Sequence, residues 1–200
     1  MLLSEPVELA CRALAVAALV LVLVAAYIDV RKFIIPNWLN GLLLAIGLLY
    51  GVLASFSSLS FAWVPHLASF ALFFAVGTLL FGFGCLGGGD VKLMAVVAFW
   101  SGTQYLMGFL TYTAIAGGLL SVIYLLRAWL RRRSEAGAVN SGIKEVAAQA
   151  VLAHTGLLTD SKAYISHARK SSLMQEPVPY GVAIAAGGIY VFASIAGQLG

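Results

Sequence analysis

Long uncharged apolar runs recur along the chain, and only a few kinds of fold can accommodate them. Six of these runs approach the roughly 20 residues that an α-helix needs to cross a hydrocarbon core about 30 Å thick. Since 62% of the 200 residues are hydrophobic and only 10% are charged, the composition excludes an ordinary water-soluble domain. In a bilayer the backbone must satisfy its own hydrogen bonds, so the runs should be helices. We therefore predict an all-α, polytopic membrane protein with a single membrane-embedded domain over 1–200 and six transmembrane helices at 9–28, 38–55, 65–86, 91–105, 106–128 and 179–198.

The first span could be mistaken for a secretory signal peptide. Its start carries Glu5 and Glu8 where a signal peptide has basic residues, and VAAYIDV at its end is a poor cleavage site. We expect this span to remain in the mature protein as a helix.

The basic residues indicate the orientation of the spans. With six spans, eleven of the twelve lysines and arginines fall on one side of the membrane, and cytoplasmic loops carry such an excess. A five-span arrangement would spoil this segregation. We predict cytoplasmic basic loops and both termini outside. The eleven are Arg31, Lys32, Lys92, Arg127, Arg131, Arg132, Arg133, Lys144, Lys162, Arg169 and Lys170, and Arg12 lies opposite.

The segment 131–177 is predicted to be a cytoplasmic loop insertion between the fifth and sixth spans. Apolar residues recur in it at helical spacing, which indicates a short amphipathic helix on the membrane surface or against the bundle. The basic residues at its start mark the cytoplasmic end of the fifth span and are expected to contact anionic lipid headgroups. The apolar residues of the predicted helix are Ile143, Val146, Ala147, Ala150 and Val151.

Two aspartates lie at the ends of predicted spans and at a similar depth. At about 1.5 Å per helical residue, Asp29 is about 25 Å inward from Arg12 and Asp90 about 24 Å inward from Leu106. Both carboxyl groups thus come roughly 5 Å inside the cytoplasmic edge of a core about 30 Å thick. An ionisable residue at membrane depth is a functional candidate by default.

Each aspartate also has a structural interpretation. Asp29 could be an interfacial residue paired with Arg31 or Lys32, and Asp90 could be the N-cap of the fourth helix. The glycines at 87–89 favour a site instead, because their backbone can approach other groups closely. Polar backbone exposed in this way is tolerated in a membrane only where it lines a wet cavity or is buried in protein.

Two carboxyl groups across a water-accessible cleft can hydrolyse a peptide without a metal, a cofactor or a protein nucleophile. Like charges a few ångströms apart do not both ionise readily, so the pair holds one proton. The ionised member takes a proton from water while the protonated member polarises the scissile carbonyl. From the helix dipoles we hypothesise that Asp90, at a helix N-terminus, is the resting base and Asp29, at a helix C-terminus, is the resting acid.

Two segments, DVRKFIIPN and GGGDVKLMA, resemble the signature motifs of the type IV prepilin peptidases, which are intramembrane aspartic proteases of the GxGD class. That family has an Asp closing its first helix, a basic residue two positions later and Ile-Pro-Asn opening its second helix. Its second motif is Gly-x-Gly-Asp, a hydrophobic residue and Lys. PVPYG, at 177–181, also resembles the family's usual entry into its last helix. Both motifs are complete here, as Asp29, Arg31, Ile35, Pro36 and Asn37, and as Gly87, Gly88, Gly89, Asp90 and Lys92. Asn37 is a natural N-cap for the second helix.

The resemblance implies removal of a short basic leader from prepilins or pseudopilins, typically after a glycine, at the cytoplasmic face of a bacterial inner membrane. It also implies Asp29 and Asp90 as the catalytic pair, with the remaining motif residues supporting them or lining the substrate cleft. Larger family members carry paired CxxC motifs associated with N-methylation of the trimmed pilin, and these are missing here. The chain therefore resembles the short, protease-only type found with tight-adherence (Flp) pili. We expect no metal, no cofactor and no nucleic-acid partner; the expected partners are the prepilin and the inner-membrane lipids.

Two other functions remain open at this stage. Intramembrane carboxylates and glycine-broken helices also mark a small proton-coupled transporter or channel, although such sites usually lie at the midplane. A non-catalytic pilus assembly factor is the second alternative. A serine protease is disfavoured because no GxSG motif occurs in the chain.

Overall fold

The computed structural model describes residues 4–56, 61–153 and 179–198, and these residues form helices and no strand. The all-α prediction is confirmed. In chain order the six described helices are α1 (Ser4–Lys32), α2 (Asn37–Ser55), α3 (Trp63–Gly82), α4 (Gly88–Ser101), α5 (Leu106–Ala153) and α6 (Tyr180–Gln198).

Five of these helices are long and apolar enough to cross a membrane, which confirms a multi-pass membrane protein. The remaining helix, α4, has 14 residues and is about 21 Å long at 1.5 Å per residue. The candidate spans are Glu5–Lys32, Asn37–Ser55, Trp63–Gly82, Leu106–Arg131 and Tyr180–Gln198.

Helix α4 packs against three other helices, namely α2, α3 and α6. Most of its residues are buried, as expected of a helix that is apolar on all sides. Trp100 donates a hydrogen bond from Nε1 to the carbonyl oxygen of Leu43 at 3.2 Å. On the side of α3, Gly77 leaves room for Val91 and Met94. The position of Asp90, near the start of α4, is therefore fixed from several directions.

Helix α1 packs against α6 through a stripe of small side chains. Ala18, Val22 and Ala25 are fully buried, and small residues let membrane helices approach closely. Gly188 of α6 takes part in this contact, since a Cβ there would stand 3.1 Å from Val22. Asp29 continues the stripe by one more turn, so its side chain points into the bundle and is only 3% exposed.

The connection between α1 and α2 differs in one detail from expectation. Phe33 has a φ of 53°, a left-handed conformation that ends α1. Asn37 was expected to be the N-cap of α2, but it is the first helical residue, and the extended Pro36 occupies the N-cap position without a side-chain capping bond. The prediction failed because proline already fixes an extended entry and its neighbour can begin the helix directly.

The chain divides into two compact units, Met1–Leu120 with Val178–Gly200, and Ser121–Pro177. Helix α5 continues to Ala153 and so includes residues 143–151, for which a short separate helix was expected. Residues 131–153 of the expected loop therefore belong to α5. Residues 154–178 lie outside the described ranges, and they include Pro177 and Val178 of the PVPYG segment.

Candidate active site

Asp29 lies on the last turns of α1, facing the start of α6. Its carboxyl group accepts hydrogen bonds from the backbone amides of Gly181 and Val182. Oδ2 of Asp29 is buried and has no hydrogen-bond partner among the described residues. Asp29 is therefore held against the backbone at the start of α6, with one buried oxygen still lacking a hydrogen-bond donor among the described residues.

Asp90 lies in the first turn of α4 and is 9% exposed. The N-cap of α4 is Gly87, so the structural interpretation of Asp90 as N-cap is wrong by three positions. The carboxyl group of Asp90 instead reaches back and accepts a hydrogen bond from the Gly87 amide, as the acidic residue of a capping box does. Oδ1 of Asp90 is buried and, within the described part of the chain, has no hydrogen-bond partner.

The two carboxyl groups face the same region of the bundle. Asp29 and Asp90 are close enough to repel each other electrostatically when both are ionised. Ile35, which is 5% exposed, packs between the start of α4, which carries Asp90, and the start of α6, which contacts Asp29. A Cβ at Gly181 would stand 2.9 Å from Ile35 Cδ1, and a Cβ at Gly89 would stand 3.1 Å from the Ile35 carbonyl oxygen. The aspartates, distant in sequence, thus converge around one buried isoleucine.

The three glycines before Asp90 have different roles. A Cβ at Gly87 would stand 2.9 Å from Asp90 Oδ2, and one at Gly89 would press on the Ile35 backbone. A Cβ at Gly88 would only touch the Phe81 ring at 3.5 Å, which is an ordinary contact. The Gly-x-Gly pattern therefore follows from two close approaches separated by one permissive position.

The structure brings two further predicted residues together. Nζ of Lys92 donates a hydrogen bond to Oδ1 of Asn37 at 2.7 Å, which joins the start of α4 to the start of α2. Arg31 is exposed, and its guanidinium carbon lies 5.4 Å from the centre of the Tyr27 ring. Arg31 therefore stacks on Tyr27 of the same helix and does not pair with the buried Asp29. Pro36 lies in the connection between α1 and α2 and has no polar side chain to offer the site.

Sequence reasoning missed Asn40 and the start of α6. Asn40 is 4% exposed, and its Nδ2 donates to the carbonyl oxygen of Gly89 at 3.3 Å. The available signal was an amide side chain one turn after Asn37 within a span that is otherwise apolar. Gly181 had a weaker signal, because it stood in a motif of the resemblance but was not assigned to the site.

The sequence around both aspartates matches a known protein family. The sequence model of the Type IV leader peptidase family matches residues 16–122, which is more than half of the chain and includes both aspartates. The chain belongs to the type IV leader peptidase family. The resemblance drawn from the two motifs is thereby confirmed.

Two curated relatives bear the name prepilin leader peptidase/N-methyltransferase. The protein from Aeromonas hydrophila is 34% identical over 119 residues, covering 57% of this chain and 41% of that relative. The protein from Pectobacterium carotovorum subsp. carotovorum is 31% identical over 105 residues, covering 51% of this chain and 38% of that relative. This chain thus spans about two fifths of the length of the curated relatives it matches. No solved structure matches it.

Proposed function

We propose that this chain is an intramembrane aspartic endopeptidase that removes the basic leader from type IV prepilins or pseudopilins. The observation that carries the proposal is the convergence of two buried carboxyl groups, each with one oxygen lacking a partner among the described residues. An unpaired buried carboxyl oxygen is costly to a fold. Its presence on both aspartates is what a site prepared for water and a peptide carbonyl requires.

In the proposed reaction the two aspartates share one proton. The ionised carboxylate removes a proton from a water molecule, and the water oxygen attacks the scissile carbonyl carbon. The protonated carboxyl group transfers its proton to the carbonyl oxygen, which becomes a hydroxyl of the tetrahedral intermediate. Collapse of the intermediate breaks the C–N bond: the aspartate that took the proton from water gives it to the leaving nitrogen, and the other aspartate recovers a proton from a hydroxyl as the carbonyl re-forms.

The backbone amides at the start of α6 affect which aspartate is ionised in the resting dyad. Asp29 ends α1, but its carboxyl group also faces the amides of Gly181 and Val182 at the start of α6. Asp90 has the Gly87 amide at the start of α4. Both carboxyl groups therefore lie at the positive ends of helices, so the dipole argument does not separate them. In our proposal the proton belongs to the pair.

We further propose that the dyad lies near the cytoplasmic face of a bacterial inner membrane, with both termini outside. Arg31, Lys32 and Lys92 are close in sequence to Asp29 and Asp90, and positive charge is enriched on the cytoplasmic side. A prepilin already inserted through its apolar segment would present its leader junction at that level. The short, protease-only type remains our proposal for this chain, as do its partners.

Cleavage by the purified protein tests the proposed function. Wild type, Asp29→Ala and Asp90→Ala would be mixed in detergent with a purified tight-adherence prepilin, and the products identified by mass spectrometry. We expect one cut at the leader junction by the wild type and none by either variant. Glu5→Gln, at the opposite end of α1, is the matched acidic control and should cleave normally.

The same experiment separates the alternatives. Cleavage that survives in either aspartate variant would exclude the dyad as the catalytic group. Proton flux through vesicles containing the wild type, without cleavage, would favour a transporter. Neither cleavage nor flux would leave the assembly factor as the better account.

A further inference from the structure

A groove beside the aspartates lies between α2 and α3, with α4 as its floor. The two helices meet at their far ends, where Nε1 of Trp63 donates to Oγ of Ser55 at 3.1 Å and Gly51 packs against the Phe61 and Trp63 rings. Toward the ends nearer the dyad both still pack on α4, but a cavity of about 240 Å³ opens between them. The groove is open on its outer side, where Phe74 is exposed.

The end of the groove beside the catalytic segment is polar. Asn37, Asn40 and Lys92 line it, and Asn40 is bonded to the carbonyl oxygen of Gly89, the residue before Asp90. Oδ1 of Asn40 is buried and lacks a hydrogen-bond donor among the residues the structure describes. Lys92 has three donor hydrogens, one of which serves Asn37. This end therefore offers both an unpaired acceptor and spare donors.

The remainder of the groove is apolar. Leu44, Phe70, Phe74 and Val96 line it, and the Phe70 and Phe74 rings are stacked with centroids 5.9 Å apart. The volume is below the roughly 300–1,000 Å³ of common ligand pockets, so it suits a few apolar side chains better than a whole helix. A chain entering at the polar end would pass from hydrogen-bonding groups to apolar walls.

We propose that this groove binds the apolar segment of the substrate immediately after the scissile bond, an inference that rests on the proposed function. A peptide must be extended at the point of cleavage, and an unwound backbone in a membrane needs hydrogen-bond partners. Oδ1 of Asn40 accepts from a substrate amide, and Lys92 donates to a substrate carbonyl. The following apolar side chains then lie along Leu44, Phe70 and Phe74. The basic leader extends away from the groove, because Lys92 repels it.

Gly41 provides the test. It lines the groove, and a Cβ placed on it meets nothing within 4 Å, as is also true of Gly118 on α5. Gly41→Phe would therefore fill the groove without displacing backbone, and Gly118→Phe is the matched control at an open position elsewhere.

Two substrates would be compared: a full-length tight-adherence prepilin and a short soluble peptide that contains the leader junction but lacks the apolar segment. For Gly41→Phe we expect kcat/KM for the prepilin to fall about tenfold or more, as a blocked apolar pocket does. Its kcat/KM for the short peptide should stay at the wild-type value. Gly118→Phe should match the wild type on both substrates.

Several results would overturn the inference. Prepilin cleavage by Gly41→Phe at the wild-type rate would show that the groove is not used, and an equal loss on both substrates would mean that the dyad itself was disturbed. If the wild type cleaves neither substrate, the proposed function fails, and binding is tested alone with a photoreactive residue at position 41 in the Asp29→Asn variant. A crosslink to the prepilin supports the groove, whereas a crosslink to lipid only, or none, rejects it.

Discussion

Gly181 lies directly against the carboxyl group of Asp29. A Cβ at position 181 would stand 2.7 Å from Oδ2 and 2.9 Å from Cγ of Asp29, which is closer than such atoms approach in proteins. The first turn of α6 can therefore present its amides to Asp29 only because residue 181 has no side chain. This contact ties the last helix to a residue at the end of the first.

Gly181→Ala should reduce the rate of cleavage with little change in substrate binding. The added methyl group must push the Asp29 carboxyl group out of place, and a displacement of about 1 Å at a catalytic group can cost roughly a hundredfold in rate. We expect kcat to fall about tenfold to a hundredfold while KM stays close to the wild-type value. Steady-state kinetics on a purified prepilin would measure both constants.

The control for this prediction lies on the same helix. A Cβ at Gly197 meets nothing within 4 Å, so Gly197→Ala makes the same chemical change in α6 away from the site. It should keep wild-type kinetics. If Gly181→Ala were equally active, the contact with Asp29 would have no part in catalysis.

The sequence could predict where Asp29 points but not what it meets. Ala18, Val22, Ala25 and Asp29 recur at helical spacing, and all four are buried on one face of α1. The partner of that face, the start of α6, is about 150 residues away in the chain, and no local pattern connects the two. The assignment of the resting proton considered only the helix that carries each aspartate, and so it omitted the amides of Gly181 and Val182.

The contacts that α2 makes with α4 also could not be predicted from the sequence. Asn37 and Lys92 were singled out through motifs, yet the bond between them depends on how α2 and α4 pack together. Asn40 belongs to no motif, and its importance appears only when the Gly89 carbonyl is found beside it. Apolar runs predict helices and their number because the bilayer imposes helix formation. Packing between helices is set by side-chain shape at each contact, which a single sequence does not display.

Two adjacent glycines should respond very differently to the same substitution. Gly89→Ala would place a methyl group 3.1 Å from both the Cβ and the carbonyl oxygen of Ile35, whereas Gly88→Ala would make only an ordinary contact with Phe81. Overpacking of this kind typically costs about 1–3 kcal/mol. We expect Gly89→Ala to lower the Tm in detergent and to reduce cleavage, with Gly88→Ala close to wild type in both.

Gly88→Ala is the internal control for this pair, since both glycines lie in the first turn of α4. Equal loss in the two variants would mean that any side chain in this turn is harmful, and that the approach of Gly89 to Ile35 is not the cause. Equal tolerance would mean that the connection between α1 and α2 can yield at Ile35.

The bond between Lys92 and Asn37 should appear as a coupling between the two positions. Lys92→Met and Asn37→Ala each remove it, and their effects should be non-additive because the second change has no bond left to break. A hydrogen bond of this kind contributes about 1 kcal/mol net, so we expect a coupling of that order in the free energy of unfolding. The measurement is a double-mutant cycle by denaturant unfolding in mixed micelles.

Asn37→Asp tests whether the hydrogen bond to Lys92, and not the loss of the asparagine as such, affects stability. It preserves an acceptor for Lys92 and adds a charge that the ammonium group can neutralise, so its stability should equal or exceed that of the wild type. Additive effects of Lys92→Met and Asn37→Ala would show that the two residues act separately.

Cleavage should have a bell-shaped dependence on pH if Asp29 and Asp90 share one proton. At low pH both carboxyl groups are protonated and no base remains to activate water; at high pH both are ionised and no acid remains to polarise the carbonyl. The rate should therefore fall on both sides of a maximum, and the two apparent transitions belong to the pair. The measurement is kcat/KM for prepilin cleavage across pH, at constant ionic strength and with the Tm followed to exclude unfolding.

The aspartate variants make this pH profile specific to the dyad. Asp29→Asn and Asp90→Asn each remove one titrating group and leave a similar shape in its place, so both should fold normally and lose cleavage at every pH. Glu5→Gln should retain the full bell-shaped profile. A rate that rises steadily with pH in the wild type and reaches a plateau would contradict the shared proton, because a single base would then be sufficient for the reaction.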